Sequence, residues 1–152
     1  MDQSLFEYDD GTVALYGAEH VAGFDRTDPE QSARYFQHCI RSGDVSGAPT
    51  CFDVDAVYVT EAGKFVQGHA AVRAALATVA GMKPDLQANR SALLMTRYDI
   101  ASWVDEWTLK ATLPNGDKLD LAGVSSDVLK RQSNGVWTYL VDNPYGAAYL
   151  TV

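Results

Sequence analysis

Several features are scarce or missing in this sequence of 152 residues. It has two cysteines, three histidines, and only 12 lysines and arginines against 20 acidic residues. No apolar run approaches the length that spans a bilayer. The sequence also lacks the phosphate loop, the glycine pattern of dinucleotide-binding folds and the serine nucleophile elbow. Each of these absences excludes a class of function.

The low content of basic residues argues against partners that carry phosphate. The formal net charge is −8 at pH 7, and the basic residues form no cluster. Such a surface repels nucleic-acid backbones and anionic membranes, so we expect neither as a partner. The first ten residues, MDQSLFEYDD, are acidic and lack the basic and apolar regions of a signal peptide. We therefore expect a cytoplasmic protein.

The cysteines and histidines do not have the spacing of metal ligands. Cys39 and Cys51 are expected to be buried or half-buried free thiols in a reducing compartment. His20, His38 and His69 are scattered along the chain, and their spacing matches no zinc motif. We expect neither a metal nor an organic cofactor.

Hydrophobic periodicity and turn signals predict one α+β domain, in which helices precede an antiparallel meander. Asp28 and Pro29 begin a helix that Gly43 ends, and Asp44 begins a short second helix. A third helix follows Gly68. Strands are predicted at 56–60, 64–67, 86–97, 100–113, 118–132 and 136–143. The predicted order is therefore α-α-β-β-α-β-β-β-β.

The segment SWVDEWTLK has one carboxylate between two tryptophans. On a strand, Trp103, Asp105 and Trp107 share a face that is otherwise apolar. The turn at 114–116, Pro-Asn-Gly, predicts the register of this strand against the next one. The predicted pairs are Leu113 with Asp117, Ala111 with Leu119, Leu109 with Leu121, Trp107 with Gly123, Asp105 with Ser125, and Trp103 with Asp127.

The next hairpin is predicted to turn at 134–135, Asn-Gly. A two-residue turn there predicts two further pairs, Leu129 with Leu140 and Asp127 with Asp142. Trp137 and Tyr139 alternate away from Asp142 in this register. We therefore expect these two aromatic side chains on the opposite face of the sheet, in a dimer contact.

Three carboxylates, those of Asp105, Asp127 and Asp142, would share one apolar sheet face. Backbone amides, an indole N–H group or a strand end could satisfy each of them. Alternatively they line a pocket, where burial and like charge raise carboxylate pKa values, so that one donates a hydrogen bond and another acts as base. Isolated buried carboxylates cost on the order of several kcal/mol, so we favour the pocket.

Four segments resemble the ketosteroid isomerase/SnoaL-like group of the nuclear transport factor 2-like superfamily. They are SGD at 42–44, FDVDAVYV at 52–59, QGHAAVR at 67–73 and the run 123–146, which looks like a branch of unassigned function. The resemblance covers 27–146, and leaves 1–26 as an N-terminal arm or small hairpin and 147–152 as a C-terminal tail. It implies a cystatin-like α+β barrel, in which a conical antiparallel sheet wraps around N-terminal helices and encloses a deep apolar pocket. It also implies a homodimer formed through the open sheet face.

The catalytic positions of that group are only partly kept here. Its aspartate that donates a hydrogen bond to the oxyanion falls on Asp127, and its pocket-facing position on the last strand falls on Asp142. Its tyrosine on the first helix falls on Phe36, and its base aspartate falls on Thr60. Two of the three catalytic positions are therefore absent, which argues against steroid isomerisation by the usual residues.

The carboxylate patch and the resemblance together predict a cofactor-independent enzyme that binds a hydrophobic, polycyclic or polyketide-like ligand. Asp142, or alternatively Asp105, is the predicted base, and protonated Asp127 is the predicted donor to an enolate or alkoxide. The reaction would be an isomerisation, a cyclisation, a lyase reaction or another proton transfer. The expected substrate contacts are Tyr58, Trp103, Trp107, Thr60, Ser125 and Phe36. The alternative is a ligand-binding or dimerisation domain without catalysis.

Overall fold

A computed structural model describes residues 15–151. The helices are α1 (Pro29–Ser42) and α2 (His69–Gly81), with short 3₁₀ helices at Ala48–Cys51 and Gly146–Leu150. The strands are β1 (His20–Val21), β2 (Phe24–Asp25), β3 (Phe52–Glu61), β4 (Lys64–Gln67), β5 (Asp85–Arg97), β6 (Ile100–Thr112), β7 (Lys118–Arg131) and β8 (Trp137–Asp142). No helix within 15–151 is long and apolar enough to cross a membrane.

Six strands form one curved sheet in the order β4-β3-β8-β7-β6-β5. Neighbouring strands are antiparallel except β3 and β8, which are parallel. Both helices pack against this sheet, α1 against β5 and β8 and α2 against β3. The α+β class and the predicted order of elements are confirmed, but the second predicted helix is a 3₁₀ turn. Pro49 lies in that turn, where its missing N–H group disfavours a longer helix.

Helix α1 has the termini that the sequence predicts. Asp28 is extended at the N-cap position, Pro29 follows, and Gly43 ends the helix with φ 74°. This left-handed conformation favours glycine, and the Gly43 N–H group donates to the last carbonyls of the helix. Ala33 and Ile40 lie in the core. The buried face of α1 therefore forms one wall of the interior.

The register of β6 against β7 agrees with the prediction at every pair named above. Trp103 lies opposite Asp127, Asp105 opposite Ser125, and Trp107 opposite Gly123. The Leu113 N–H group donates to Asp117 O over 2.8 Å, and Gly116 has φ 89°. The turn residues thus determine which side chains of two long strands meet.

The register of β7 against β8 differs from the prediction near the turn. The Gln132 N–H group donates to Val136 O over 2.8 Å, so the loop has three residues, and Leu129 lies opposite Tyr139 rather than Leu140. A bulge then adds one residue to β8, because Val128 lies opposite Val141. Continuing this register brings 127 opposite 142, as predicted.

The bulge also corrects the predicted positions of two aromatic side chains. Tyr139 and Trp137 are both buried in the core and do not lie on an outer face of the sheet. The ring of Tyr139 packs 5.2 Å from those of Phe36 and Phe52. A bulge inverts side-chain alternation, so Tyr139 lies on the same face as Asp142.

The described part of the predicted N-terminal arm contains a small hairpin. The segment Asp-Asp-Gly at 9–11, which is typical of a hairpin turn, lies outside the described residues. The hairpin pairs β1 with β2, and its two turn residues, Ala22 and Gly23, have φ 53° and 84°. Two positive φ values are typical of the tight turns that join antiparallel strands.

We expect that Gly123→Ala destabilises the protein, because a Cβ atom there would lie 2.8 Å from Pro144 O and 2.9 Å from Trp107 Cζ2. Overpacking of this kind costs about 1–3 kcal/mol in the free energy of unfolding. Urea denaturation measures the loss, with Ala122→Ser on the exposed neighbouring residue as control. Equal stability of both variants would contradict this packing.

Candidate active site

A cavity of about 150 Å³ lies between α1, α2 and the concave face of the sheet. It brings together all nine residues that the sequence predicted for the site. Helix α1 contributes Phe36, and the strands contribute Tyr58, Thr60, Trp103, Asp105, Trp107, Ser125, Asp127 and Asp142. With Val79 of α2 and Leu86 of β5, seven helices and strands that are far apart in sequence contribute to the cavity wall.

The two ends of the cavity differ in polarity. Its buried end carries polar side chains, and Asp105, Ser125, Asp127 and Asp142 are each at most 5% exposed. The more exposed end is lined mainly by half-buried apolar side chains, Val79, Met82, Leu119 and Leu121. A ligand that enters through the apolar end would meet the polar groups last.

Asp127 and Asp142 form a hydrogen-bonded pair of carboxyl groups at the buried end. The Asn143 N–H group donates to Asp127 Oδ1 over 2.8 Å. A hydrogen bond between two carboxyl groups requires a proton on one of them. We call this pair the aspartate dyad.

Burial raises the pKa of both members of the dyad. Burial, and next the charge of Asp142, hold the pKa of Asp127 well above its usual range. Burial raises the pKa of Asp142 to about 7, although the hydrogen bond from Asp127 opposes this rise. At neutral pH the dyad therefore keeps one proton, and a second proton is bound about half of the time. The two pKa values belong to the pair rather than to either residue alone.

Asp105 has a different environment from the dyad. Gln37 Nε2 donates to its Oδ2 over 2.5 Å, and Ser91 Oγ donates to its Oδ1 over 2.8 Å. Burial raises the pKa of Asp105, and Ser91, Arg34 and Gln37 act in the opposite direction. Both carboxylate oxygens of Asp105 are thus held by donors, so this side chain is less free than the dyad to take up a proton.

Ser125 lies directly opposite Asp105 in the β6–β7 register. Its hydroxyl is close enough to Asp127 to lower the pKa of that carboxyl. Nevertheless, Ser125 Oγ is buried and makes no hydrogen bond of standard geometry to a described residue. Even with its O–H group directed to Asp127, the oxygen of this hydroxyl can accept a hydrogen bond from a ligand in the cavity.

Three polar or aromatic residues of the cavity wall, Gln37, Tyr139 and Tyr145, were not among the predicted site residues. Gln37 lies one residue after Phe36 on α1, and its only signal in the sequence is a polar side chain beside the apolar positions of that helix. Tyr139 was assigned to the other face because the β8 bulge leaves no mark in the sequence. Tyr145 follows Pro144 after the last strand and packs edge-on against Trp107 at 5.9 Å; nothing in the sequence pattern indicates this contact.

The described residues contain no group of three or more histidine, cysteine, aspartate or glutamate side chains that could hold a metal ion. Cys39 and Cys51 are free thiols and are both buried. Cys39 lies on α1 and Cys51 in the following 3₁₀ turn, and neither lines the cavity. The chemical groups available at the buried end are therefore carboxyl, hydroxyl, amide and aromatic groups.

We expect Asp142→Asn to change how stability depends on pH. The folded-state pKa of Asp142 is about 7, above its usual 3.8, so the wild type loses stability as pH rises from about 4 to about 7. Asparagine does not ionise and removes this loss. Over the same pH range, the free energy of unfolding of the variant should therefore rise relative to that of the wild type by roughly a few kcal/mol. Thermal unfolding from pH 4.5 to 8.5 measures the difference, and a constant difference would contradict the raised pKa.

Solved structures of proteins with different descriptions have the same fold. A nuclear transport factor 2-like superfamily protein from Salmonella enterica superposes with a TM-score of 0.67 and 17% identity, over 76% of this chain and 86% of its own. A ketosteroid isomerase-like protein from Erwinia carotovora superposes with a TM-score of 0.63 and 14% identity, over 74% and 88%. The association domain of C. elegans CaMKII superposes with a TM-score of 0.60 and 14% identity, over 76% of this chain and 90% of its own. At these identities the similarity establishes the fold alone.

The sequence itself shows the family more directly. Among curated proteins no sequence matches this chain. The family model of the SnoaL-like domain, however, matches residues 32–138. This range includes most of α1, all of α2 and β3 to β7, and both Asp105 and Asp127. The chain therefore belongs to the SnoaL-like domain family.

Proposed function

We propose that this protein is an enzyme that moves a proton on a small hydrophobic ligand, without a metal or an organic cofactor. The observation that carries the proposal is the aspartate dyad at the buried end of an apolar cavity. One carboxyl of the dyad is protonated and can donate a hydrogen bond, and the other titrates at about 7. Pairs of groups whose pKa values are pushed apart are typical of acid and base catalysts.

In this proposal Asp142 is the base and Asp127 is the donor. The Asp142 carboxylate removes a proton from a carbon beside a carbonyl group, and the C–H electrons move to form an enolate. The O–H group of Asp127 turns from Asp142 to the enolate oxygen and stabilises its charge. Asp142 then returns the proton to another carbon, which completes an isomerisation. Asp105 remains bound to Gln37 and Ser91 and fixes that side of the cavity.

The size of the cavity limits the ligand. An apolar cavity of about 150 Å³ accommodates a molecule of the size of benzene. The enclosed space here is of that size, too small to hold a polycyclic ligand entirely. We therefore propose a ligand with one ring, whose larger substituents project past Leu119 and Leu121 towards solvent.

We also propose that two copies associate through the outer face of β5, β6 and β7. On this face Leu94 and Val124 are 58% and 50% exposed. They lie among charged side chains, including the ion pair of Arg90 with Glu106. Exposed apolar side chains rimmed by polar ones are typical of contact surfaces. The C. elegans association domain has the same fold, and its description supports the proposal that copies of this chain associate.

The enzyme proposal is tested by proton exchange in D₂O. We expect the protein to accelerate exchange of the protons beside the carbonyl in a panel of one-ring ketones, both neutral and amino-substituted, followed by ¹H NMR. The rate should rise with pH through about 7, because the carboxylate form of Asp142 is the base. Asp142→Asn should lower the rate about 10²- to 10⁴-fold, the usual contribution of a general base.

A matched control is Asp120→Asn, on the exposed side of β7, which should exchange protons at the wild-type rate. Asp127→Asn should lower the rate as well, because the amide is a weaker hydrogen-bond donor to an enolate than a carboxylic acid. Exchange that is equally fast with wild type and Asp142→Asn would refute the proposed base. Ligand binding without exchange across the panel would favour the alternative, a binding domain without catalysis.

Association through the outer face is tested by Val124→Lys. The lysine would place a charge on the contact, so we expect a shift from dimer to monomer in sedimentation velocity. Val54→Lys is a suitable control, because Val54 is exposed to a similar degree, 48%, but lies on β3. A monomeric wild type, or a dimer that only Val54→Lys disrupts, would contradict the proposed contact.

A further inference from the structure

The cavity wall is rich in aromatic rings that surround the space next to the dyad. The six rings are those of Phe36, Tyr58, Trp103, Trp107, Tyr139 and Tyr145. Two pairs of them are in edge-on contact, Phe36 with Tyr139 at 5.2 Å and Trp107 with Tyr145 at 5.9 Å. The faces of aromatic rings carry negative potential and attract cations.

The same wall carries acidic groups and no basic ones. Asp105, Asp127 and Asp142 line the cavity, whereas no lysine, arginine or histidine is found among its described lining residues. Arg34 stacks on Trp103 at 5.4 Å and lowers the pKa of Asp105, but it is not a cause of the shift in either dyad member. The negative charge of the dyad is therefore not balanced by a neighbouring cation.

A third, independent feature is the hydroxyl of Ser125. Ser125 is 5% exposed and lines the cavity, and its Oγ makes no hydrogen bond of standard geometry. It lies between Asp105, directly opposite on β6, and Asp127, two residues further along β7. This oxygen can accept a hydrogen bond from a ligand at the level of the dyad.

We propose that the cavity binds a small organic cation, a protonated primary amine attached to one apolar ring. Its N–H groups would donate to the Asp142 carboxylate and to Ser125 Oγ, and its ring would pack against the exposed surface of the Trp107–Tyr145 pair. The ammonium charge balances that of the dyad, and an anionic ligand is repelled. This inference rests on the proposed use of the cavity as a ligand site, but not on proton transfer there.

A metal ion suits the same charge less well. Both oxygens of Asp105 accept hydrogen bonds from Gln37 and Ser91, and Asp127 Oδ1 accepts the Asn143 amide. The aromatic walls supply few oxygen ligands, whereas calcium and magnesium require six or more, counting water. An organic cation needs only one free carboxylate and the ring faces that are present.

Binding of the cation is linked to a proton at the dyad. The titratable groups around Asp142 are Asp127 on β7, Asp105 on β6, Tyr58 on β3, Tyr139 on β8 and Tyr145 after β8. The tyrosines have pKa values raised above the usual 10 and stay neutral at pH 7. An ammonium group beside Asp142 favours its ionised form. Up to about half a proton per site should therefore be released at pH 7, because the free pKa is about 7.

The experiment compares three ligands of nearly equal size and different charge, namely benzylammonium, benzyl alcohol and benzoate. Isothermal titration calorimetry at pH 7, in two buffers of different ionisation enthalpy, measures both affinity and proton release. We expect benzylammonium to bind at least about tenfold more tightly than benzyl alcohol, with proton release. Benzoate should not bind measurably.

Variants connect this selectivity to the named residues. Asp142→Asn should remove the preference for benzylammonium over benzyl alcohol and abolish proton release. Ser125→Ala should weaken the binding of benzylammonium several-fold and the binding of benzyl alcohol to a smaller degree. Ser126→Ala, on the exposed neighbouring residue, is the control and should bind like the wild type. Circular dichroism verifies the fold of each variant, and Ser125→Ala keeps the test valid if Asp142→Asn does not fold.

The outcomes separate this inference from the proposed function. Equal affinity for benzylammonium and benzyl alcohol, tighter binding of benzoate, or no binding of any of the three would overturn the cation site. Proton exchange in neutral ketones would then still support the enzyme. Conversely, selective binding of benzylammonium with no exchange in any ketone would support the cation site and refute the proton-transfer reaction.

Discussion

The parallel pairing of β8 with β3 is the constraint on which the site depends. The other neighbouring strands are antiparallel and follow one another through hairpins, whereas β8 returns to lie between β3 and β7. This return joins the two halves of the sheet and places Tyr58 opposite Asp142. On its other edge, β8 brings Asp142 to Asp127. Without β8, the polar groups of β3 and β7 would belong to two separate surfaces.

Local chemistry explains why part of this arrangement is readable in the sequence. The turn at 114–116 determines one register, and the alternation of β6 then places Trp103, Asp105 and Trp107 on one face. The β7–β8 hairpin was only partly predicted. A bulge at Leu140 moves Tyr139 to the cavity side while 127 and 142 stay opposite each other. A bulge arises from packing of the whole sheet, so no local pattern predicts it.

The site also shows a conflict between stability and chemistry. Carboxyl groups are buried here beside apolar and aromatic side chains, where their charged forms are disfavoured. Asp105 is satisfied by two donors, as a structural carboxylate would be. The dyad has one shared hydrogen bond and one backbone amide, and the Ser125 hydroxyl lies near Asp127 without a hydrogen bond of standard geometry. A fold selected for stability alone would replace such a pair by apolar residues, so its presence is better explained by a ligand.

The difference between Asp105 and the dyad also explains why the acidic residues cannot be treated as one group. Gln37 and Ser91 hold Asp105 from α1 and β5, so its charge is stabilised by the scaffold before any ligand enters. The dyad instead avoids the cost of a buried charge by keeping a proton. Its charge therefore changes near neutral pH, where Asp142 titrates. A ligand can shift that equilibrium only if it interacts differently with the two protonation states. A cation favours the ionised form of the dyad, whereas a purely apolar molecule displaces water and favours the neutral form. The position of the dyad at the closed end of an apolar space thus favours ligands that combine a hydrophobic ring with a polar or charged group.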